Sequence, residues 1–73
     1  MTRRQLSGVI ARRLRALVEE RGITEREFTE SLGVVASCWG HWQGKTLPNA
    51  LALRRIAEAY EDVSVDWLLG LED

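Results

Sequence analysis

Apolar residues recur every three or four positions through the first third of the chain, which places them on one face of an α-helix. They are Leu6, Ile10, Leu14, Leu17 and Val18. Arginines fill positions between them, as on the solvent face of an amphipathic helix. Gly22 follows, and glycine commonly ends helices in the left-handed conformation. The pattern predicts a first helix over residues 7–21 and a disordered arm at residues 1–6; alternatively, Arg3 and Arg4 of that arm reach a phosphate or the minor groove.

Two shorter helices are predicted next. Thr24 and Glu27 have the spacing of a capping box, in which a hydroxyl and a carboxylate each accept a hydrogen bond from a free backbone N–H at the start of a helix. Gly33 ends this second helix. The apolar residues of segment 34–42 again have helical spacing, which predicts a third helix there.

Two capped helices complete the predicted fold. Residues 44–48 contain Gly and Pro and form a loop, after which Asn49 caps a fourth helix. Ser64 caps a short fifth helix that Gly70 ends. No segment alternates apolar and polar residues as a strand does. The sequence thus predicts an all-α, five-helix single domain over residues 1–73.

Length and composition add two constraints. A chain of 73 residues buries only about 60% of its unfolded surface, so a partner subunit is the expected supplement to its stability. Cys38 and His41 are the only residues of their types, which excludes an intrachain disulfide and a four-ligand zinc site, and no cofactor is expected. The longest apolar runs are too short to span a membrane, so we expect a cytoplasmic protein with no membrane partner.

Charge is distributed unevenly along the chain, although the net charge is only -1. Residues 1–22 carry six arginines against two glutamates, whereas residues 49–73 carry two arginines against six acidic residues. This polarity suits a protein with one face on DNA and the other turned away, because phosphate binding depends on Lys and Arg. Solvated helix faces explain the same distribution equally well.

The segment between Gly22 and Pro48 is the most informative about function. It contains two short predicted helices joined by the tight turn Leu32-Gly33-Val34. Helices joined this way cross steeply, so the second can enter the major groove while the first crosses the DNA backbone. A generic helical hairpin has the same spacing, and the pattern leaves both interpretations open.

A series of short motifs extends over residues 10–70. In order they are Ile10-Ala11-Arg12-Arg13-Leu14-Arg15, Glu20-Arg21-Gly22-Ile23-Thr24, Leu32-Gly33-Val34, Trp42, Gly44-Lys45, Leu47-Pro48-Asn49, Ile56-Ala57 and Val63-Ser64-Val65-Asp66-Trp67-Leu68-Leu69-Gly70. Together they resemble the lambda-repressor-like family, which includes Cro and repressor domains and XRE-type regulators. The resemblance implies a compact five-helix domain with a helix-turn-helix at helices 2 and 3. It also implies a sequence-specific transcriptional regulator, here expected to be a repressor, that binds a pseudo-palindromic operator in double-stranded DNA as a homodimer.

The resemblance assigns base contacts to the outward side of the third helix, at Val35, Ala36, Ser37, Gly40 and His41. The apolar Val and Ala suit a thymine methyl group, whereas Ser and His can donate or accept at base edges. The chain lacks the residues for arginine–guanine and glutamine–adenine pairs at these positions, so DNA shape is expected to supply part of the specificity.

Phosphate contacts are expected from the loop after the third helix and from the first helix. The candidates are Gln43, Gly44, Lys45, Thr46 and Arg12. Glu25 departs from the family pattern, in which the residue that opens the second helix is usually an amide that binds phosphate. A carboxylate there repels phosphate and counts against tight DNA binding.

Two indoles are expected to hold a weak third helix to the core. Val35 replaces the Ser or Thr that would cap this helix, and Gly40 inside it costs about 1 kcal/mol relative to alanine. Trp39 and Trp42 are therefore predicted to be buried beneath it. An exposed Trp39 would instead mark a binding surface.

The end of the chain is unusually apolar for a short helix. We expect a symmetric dimer interface at residues 63–71, since its apolar side chains exceed what that helix can bury within its own domain. The candidate interface residues are Val63, Val65, Trp67, Leu68 and Leu71. The alternative is that they close the core over the first and fourth helices.

Other function classes are less well supported by the residues. An enzyme is not expected, because the chain has no nucleophile–base arrangement, paired carboxylates or phosphate loop. The alternative to a regulator is a protein-interaction module on the same fold, such as an antitoxin, a phage-encoded inhibitor or an adaptor, with weak or no DNA binding. Glu25 and the acidic second half of the chain favour this alternative, whereas the arginines of the first helix and Lys45 favour the regulator.

Overall fold

Five α-helices and no strand make up the chain in the computed structural model, which describes all 73 residues. They are α1 (Arg3–Arg21), α2 (Glu25–Leu32), α3 (Ser37–His41), α4 (Ala50–Ala59) and α5 (Val65–Leu68). The predicted all-α class is therefore confirmed. The helices pack into a body of 30 × 24 × 22 Å, and none is both long and apolar enough to cross a bilayer.

Helix α1 begins earlier than its apolar pattern indicates. The Thr2 hydroxyl accepts a hydrogen bond from the Gln5 backbone N–H at 3.1 Å, and the Gln5 side chain accepts one from the Thr2 N–H at 2.8 Å. This capping box satisfies two N–H groups at the helix end. The prediction of a disordered arm at residues 1–6 is therefore corrected, because residues 3–6 form the first helical turn.

The predicted ends of α1 and α2 at Gly22 and Gly33 are confirmed, whereas α5 ends at Leu68, before the predicted Gly70. Thr24 caps α2, Asn49 caps α4, and Ser64 caps α5, each through its side-chain oxygen. Helix α3 is shorter than the predicted segment 34–42 at both ends, and Ala36 at its N-terminus provides no side-chain cap.

The core is centred on Phe28 of α2. Its ring meets the Trp39 ring edge-on at a centroid distance of 5.6 Å and stacks on the Tyr60 ring at 5.5 Å. Trp39 and Trp42 are 7% and 6% exposed, so the predicted burial of both indoles is confirmed. Aromatic packing thereby joins α2, α3 and the end of α4.

The C-terminal segment divides between core and surface. Val63 and Leu68 belong to the core cluster, so their assignment to a dimer interface is corrected: side chains covered by their own domain do not reach a partner. Trp67 is half-buried and carries the Arg13 guanidinium 4.8 Å from its ring centroid. Val65 is also half-buried, and Leu71 is exposed. The alternative prediction, closure of the core, holds for Val63 and Leu68.

Candidate nucleic-acid interface

Helix α3 and the two residues before it present mostly small side chains, and no carboxylate, to solvent. All of the predicted base-contact residues are exposed, namely Val35, Ala36, Ser37, Gly40 and His41. The buried Trp39 and Trp42 hold the opposite side of the segment to the core. The segment therefore has a fixed inner side and a free outer side.

The loop after α3 has a defined shape set by one carbonyl. The His41 carbonyl accepts hydrogen bonds from the Lys45 N–H at 3.2 Å, the Thr46 N–H at 2.8 Å and the Thr46 hydroxyl at 3.3 Å. Gly44 turns the chain with a φ of 100°, a conformation that other residues rarely adopt. Gly44, Lys45 and Thr46 are exposed directly beside the end of α3, and their contact with phosphate stays a prediction.

Gln43 is held by α1 and does not point freely into solvent. It is half-buried, and its Oε1 accepts a hydrogen bond from Arg15 Nη1 at 2.7 Å. Its predicted role as a direct DNA contact is thus corrected to that of a residue joining α1 to the loop. Arg15 was not among the predicted site residues, although it is exposed at the edge of this surface.

Arg12 lies apart from the loop. It lines a shallow depression with Val9, Arg13, Ala16 and Gly70, all outside α3 and the loop that follows it. Arg15 lies within one turn of Arg12 on α1, but it is Arg15 that hydrogen-bonds to Gln43, whereas the depression lined by Arg12 extends toward Gly70. The assignment of Arg12 to the DNA-binding set is corrected accordingly.

The positions of the arginines around the α1 helix indicate which of them lie beside the loop after α3. Arg4 and Arg15 are separated by about three full turns of α1 and share a face. Arg4 lies with Arg3 against the loop residues Gly44–Leu47, while Arg15 contacts Gln43. The cations of α1 that adjoin the loop are therefore Arg3, Arg4 and Arg15.

Acidic residues are excluded from the segments that form this surface. Residues 1–18 and 31–57 contain eight of the ten Lys and Arg residues and none of the eleven acidic ones. These ranges include most of α1 and all of α3, its loop and nearly all of α4. Apart from Arg54, which pairs with Glu58, these cations have no carboxylate partner in the protein.

Helix α2, which precedes α3, does carry exposed acidic residues. Glu25, Glu27 and Glu30 are exposed on it, and Glu25 is its first residue. Carboxylates near a helix N-terminus interact favourably with the helix dipole. The stability of α2 is therefore a sufficient reason for Glu25 and Glu27 at these positions. Arg26 pairs with Glu30 at 3.1 Å and offsets one of these charges.

Comparison with protein-family models, with curated proteins and with solved structures found no match. Function is therefore inferred from the geometry and charge of the surface that α3, its loop and the N-terminal half of α1 form.

Proposed function

We propose that the protein is a sequence-specific DNA-binding regulator of transcription, acting as a repressor, in which α2 and α3 form a helix-turn-helix of the lambda-repressor-like kind. It binds a pseudo-palindromic operator as a homodimer, with one α3 in each half-site. The outward residues of α3, above all Ser37 and His41, contact base edges, while Lys45 and Thr46 contact phosphates.

One observation carries this proposal. The outer side of α3 is exposed and free of carboxylates, and cations of α1 adjoin the loop that follows it. A short helix with mostly small outward side chains fits the width of the major groove, and the cations beside the loop meet the phosphates on that side.

The experiment is a salt-titrated binding assay with a duplex drawn from the DNA flanking the protein's own coding region and with a random duplex. We expect His41→Ala to change sequence preference, because it removes a base-edge contact. Lys45→Ala should weaken binding to both duplexes and reduce the salt slope by about one unit, because it removes a phosphate contact.

Arg12→Ala is the matched control, since it removes an equally exposed cation that lies away from the loop. It should leave the sequence preference unchanged and affect the salt slope less than Lys45→Ala does. Absence of binding to any duplex at low salt would refute the proposal, and equal losses on both duplexes for His41→Ala and Lys45→Ala would refute the assigned roles.

A protein-interaction module is the second candidate, and the carboxylates of α2 favour it. Glu25 and Glu27 stand where a helix-turn-helix protein approaches phosphate, and both are exposed. If Glu25→Gln fails to strengthen duplex binding, α2 does not approach the DNA backbone. That result, together with weak binding to all duplexes, would favour this second function.

A further inference from the structure

A pocket lies between the first turns of α1 and the loop after α3. It has a volume of about 300 Å³, at the lower end of the range for small-ligand sites. The residues that line it are Arg3, Arg4, Ser7, Gly44, Lys45, Thr46 and Leu47. Two segments far apart in the chain thus meet around one concave site.

The pocket is strongly positive. Three of its residues, Arg3, Arg4 and Lys45, are cationic, and none is acidic. None of these three cations forms an ion pair within the protein, whose ion pairs involve Arg21, Arg26 and Arg54. Their charges therefore remain available to an anion.

The Ser7 hydroxyl supports an anion site independently of the charges in the pocket. It is the only buried residue among those that line the pocket, with 4% of its surface exposed. Its hydroxyl has no hydrogen-bond partner, although a serine inside a helix commonly donates to the carbonyl one turn earlier. Buried polar groups are almost always paired in proteins, and a rotation of the Ser7 side chain toward the pocket would bring this buried hydroxyl to an acceptor on a bound anion.

Backbone N–H groups add further donors. Those of Arg3 and Arg4 lie in the first turn of α1 and donate to no acceptor in the protein, since the capping box serves only Thr2 and Gln5. The positive end of the helix dipole lies at the same place. The first turn of a long helix is well suited to bind an anion with several oxygen atoms.

We propose that this pocket is a phosphate-binding site, in which Arg3, Arg4 and Lys45 neutralise the phosphate and Ser7 donates a hydrogen bond to one of its oxygens. A phosphate group fits this arrangement because its several oxygens can accept from donors on both sides of the pocket at once. The site does not depend on duplex binding, because a free phosphate ester offers the same oxygens as a phosphodiester of the DNA backbone.

The first test is an amide NMR titration with inorganic phosphate at constant ionic strength, with sodium chloride as the reference salt. Saturable shifts are expected at Arg4, Ser7 and residues 44–46. Arg4→Gln and Lys45→Gln should each weaken phosphate affinity by about tenfold, the loss typical of one hydrogen bond to a charged group. The matched control Arg12→Gln removes a cation from the same helix and should leave the affinity within about twofold of the wild type.

Ser7→Ala separates a ligand contact from a structural role. The variant should weaken phosphate binding while its unfolding temperature stays the same or rises, because the hydroxyl has no partner to lose. A hydroxyl with a purely structural role would lower the unfolding temperature without changing phosphate affinity. Lack of saturable shifts in the wild-type protein, or wild-type affinity in both Ser7→Ala and Arg4→Gln, would overturn the proposal.

Parallel titrations with a nucleoside monophosphate and a short duplex distinguish the sources of the phosphate. If the pocket variants weaken binding of the monophosphate but the protein binds no duplex, the pocket stands and the regulator function fails. If the protein binds the duplex and the pocket variants bind it as the wild type does, while no free phosphate binds, the pocket is refuted and the regulator function stands.

Discussion

The unpaired hydroxyl of Ser7 leads to a prediction about stability. Its buried hydroxyl has no partner, and alanine is a better helix former, so Ser7→Ala should raise the free energy of unfolding by about 1 kcal/mol. Urea unfolding followed by circular dichroism measures the change. A serine with satisfied hydrogen bonds is the control, because Ser31 donates to the Phe28 carbonyl at 2.6 Å and lies 2.8 Å from the Tyr60 hydroxyl.

Ser31→Ala should therefore lower the free energy of unfolding by about 1 kcal/mol, opposite in sign to Ser7→Ala. A loss of stability in Ser7→Ala as large as that in Ser31→Ala would show that the Ser7 hydroxyl is paired within the protein.

Hydrogen bonds from Arg21 and from the backbone lower the pKa of Asp62, and the bond from Arg21 has the larger effect. The Arg21 guanidinium donates a hydrogen bond to its carboxylate and holds the pKa of Asp62 below its ordinary value. A carboxyl whose pKa is lowered by folding stabilises the protein above its ordinary pKa, and this contribution is lost as the pH falls through the lowered one. Arg21→Gln should raise the pKa of Asp62 toward its ordinary value, as measured by carbon NMR, while the backbone hydrogen bond keeps part of the lowering.

The Arg21→Gln variant should also show less change in unfolding temperature than the wild type between neutral and acidic pH. Arg26→Gln removes the exposed partner of Glu30 and should leave the pKa of Asp62 unchanged. An unaltered pKa of Asp62 in Arg21→Gln would contradict the ion pair.

Two glycines of the α2–α3 segment should respond in opposite ways to alanine. Gly33 has a φ of 70° at the end of α2, a conformation that costs alanine about 1 kcal/mol or more, so Gly33→Ala should be destabilising. Gly40 lies inside α3 with a negative φ, and a methyl group added there would meet no atom within 4 Å. Gly40→Ala should therefore stabilise the protein by up to about 1 kcal/mol.

Urea unfolding of both variants provides the measurement. The comparison is internally controlled, since both changes add one methyl group to an exposed position. Destabilisation by Gly40→Ala would mean that the outer side of α3 is covered in solution.

Most helix boundaries follow from local signals in the sequence. The capping residues Thr24, Asn49 and Ser64 act on N–H groups two or three positions away, so their effect does not require knowledge of the fold. Thr2 and Gln5 carry the same signal at the start of α1. The capping box of α1 contains glutamine at the position where the capping box of α2 contains glutamate. The apolar spacing that predicts α1 does not extend to Thr2 and Gln5.

The prediction that the whole molecule is a dimer depends on the exposed apolar residues at the end of the chain. With Val63 and Leu68 in the core, Leu71 remains 74% exposed, next to half-buried Trp67. If the proposed homodimer forms through this end, Leu71→Glu should shift it toward the monomer, because a charge would be buried in the interface. Sedimentation velocity at micromolar concentrations measures the shift.

Leu51→Glu is the matched control, since Leu51 is 56% exposed near the start of α4. This variant should keep the wild-type sedimentation coefficient. A wild-type protein that sediments as a monomer, or a dimer unaffected by Leu71→Glu, would refute an interface at residues 63–71.

The five helices, most of their N-terminal caps and the burial of Trp39 and Trp42 could be predicted from the order of residues alone. These features depend on interactions within a few residues or on the period of apolar positions, both of which are local. The outward position of Ser37 and His41 follows from the same period, once the two indoles are assigned to the core.

Which side chains meet across the molecule depends on how the helices pack. Arg15 contacts Gln43 28 residues further along the chain, whereas Arg12, three positions earlier on the same helix, does not approach the loop. The packing of the helices likewise buries Val63 and Leu68 within their own domain. Helical spacing gives the relative directions of side chains, but the packing of one helix against another sets which direction faces a partner, and that depends on the whole core.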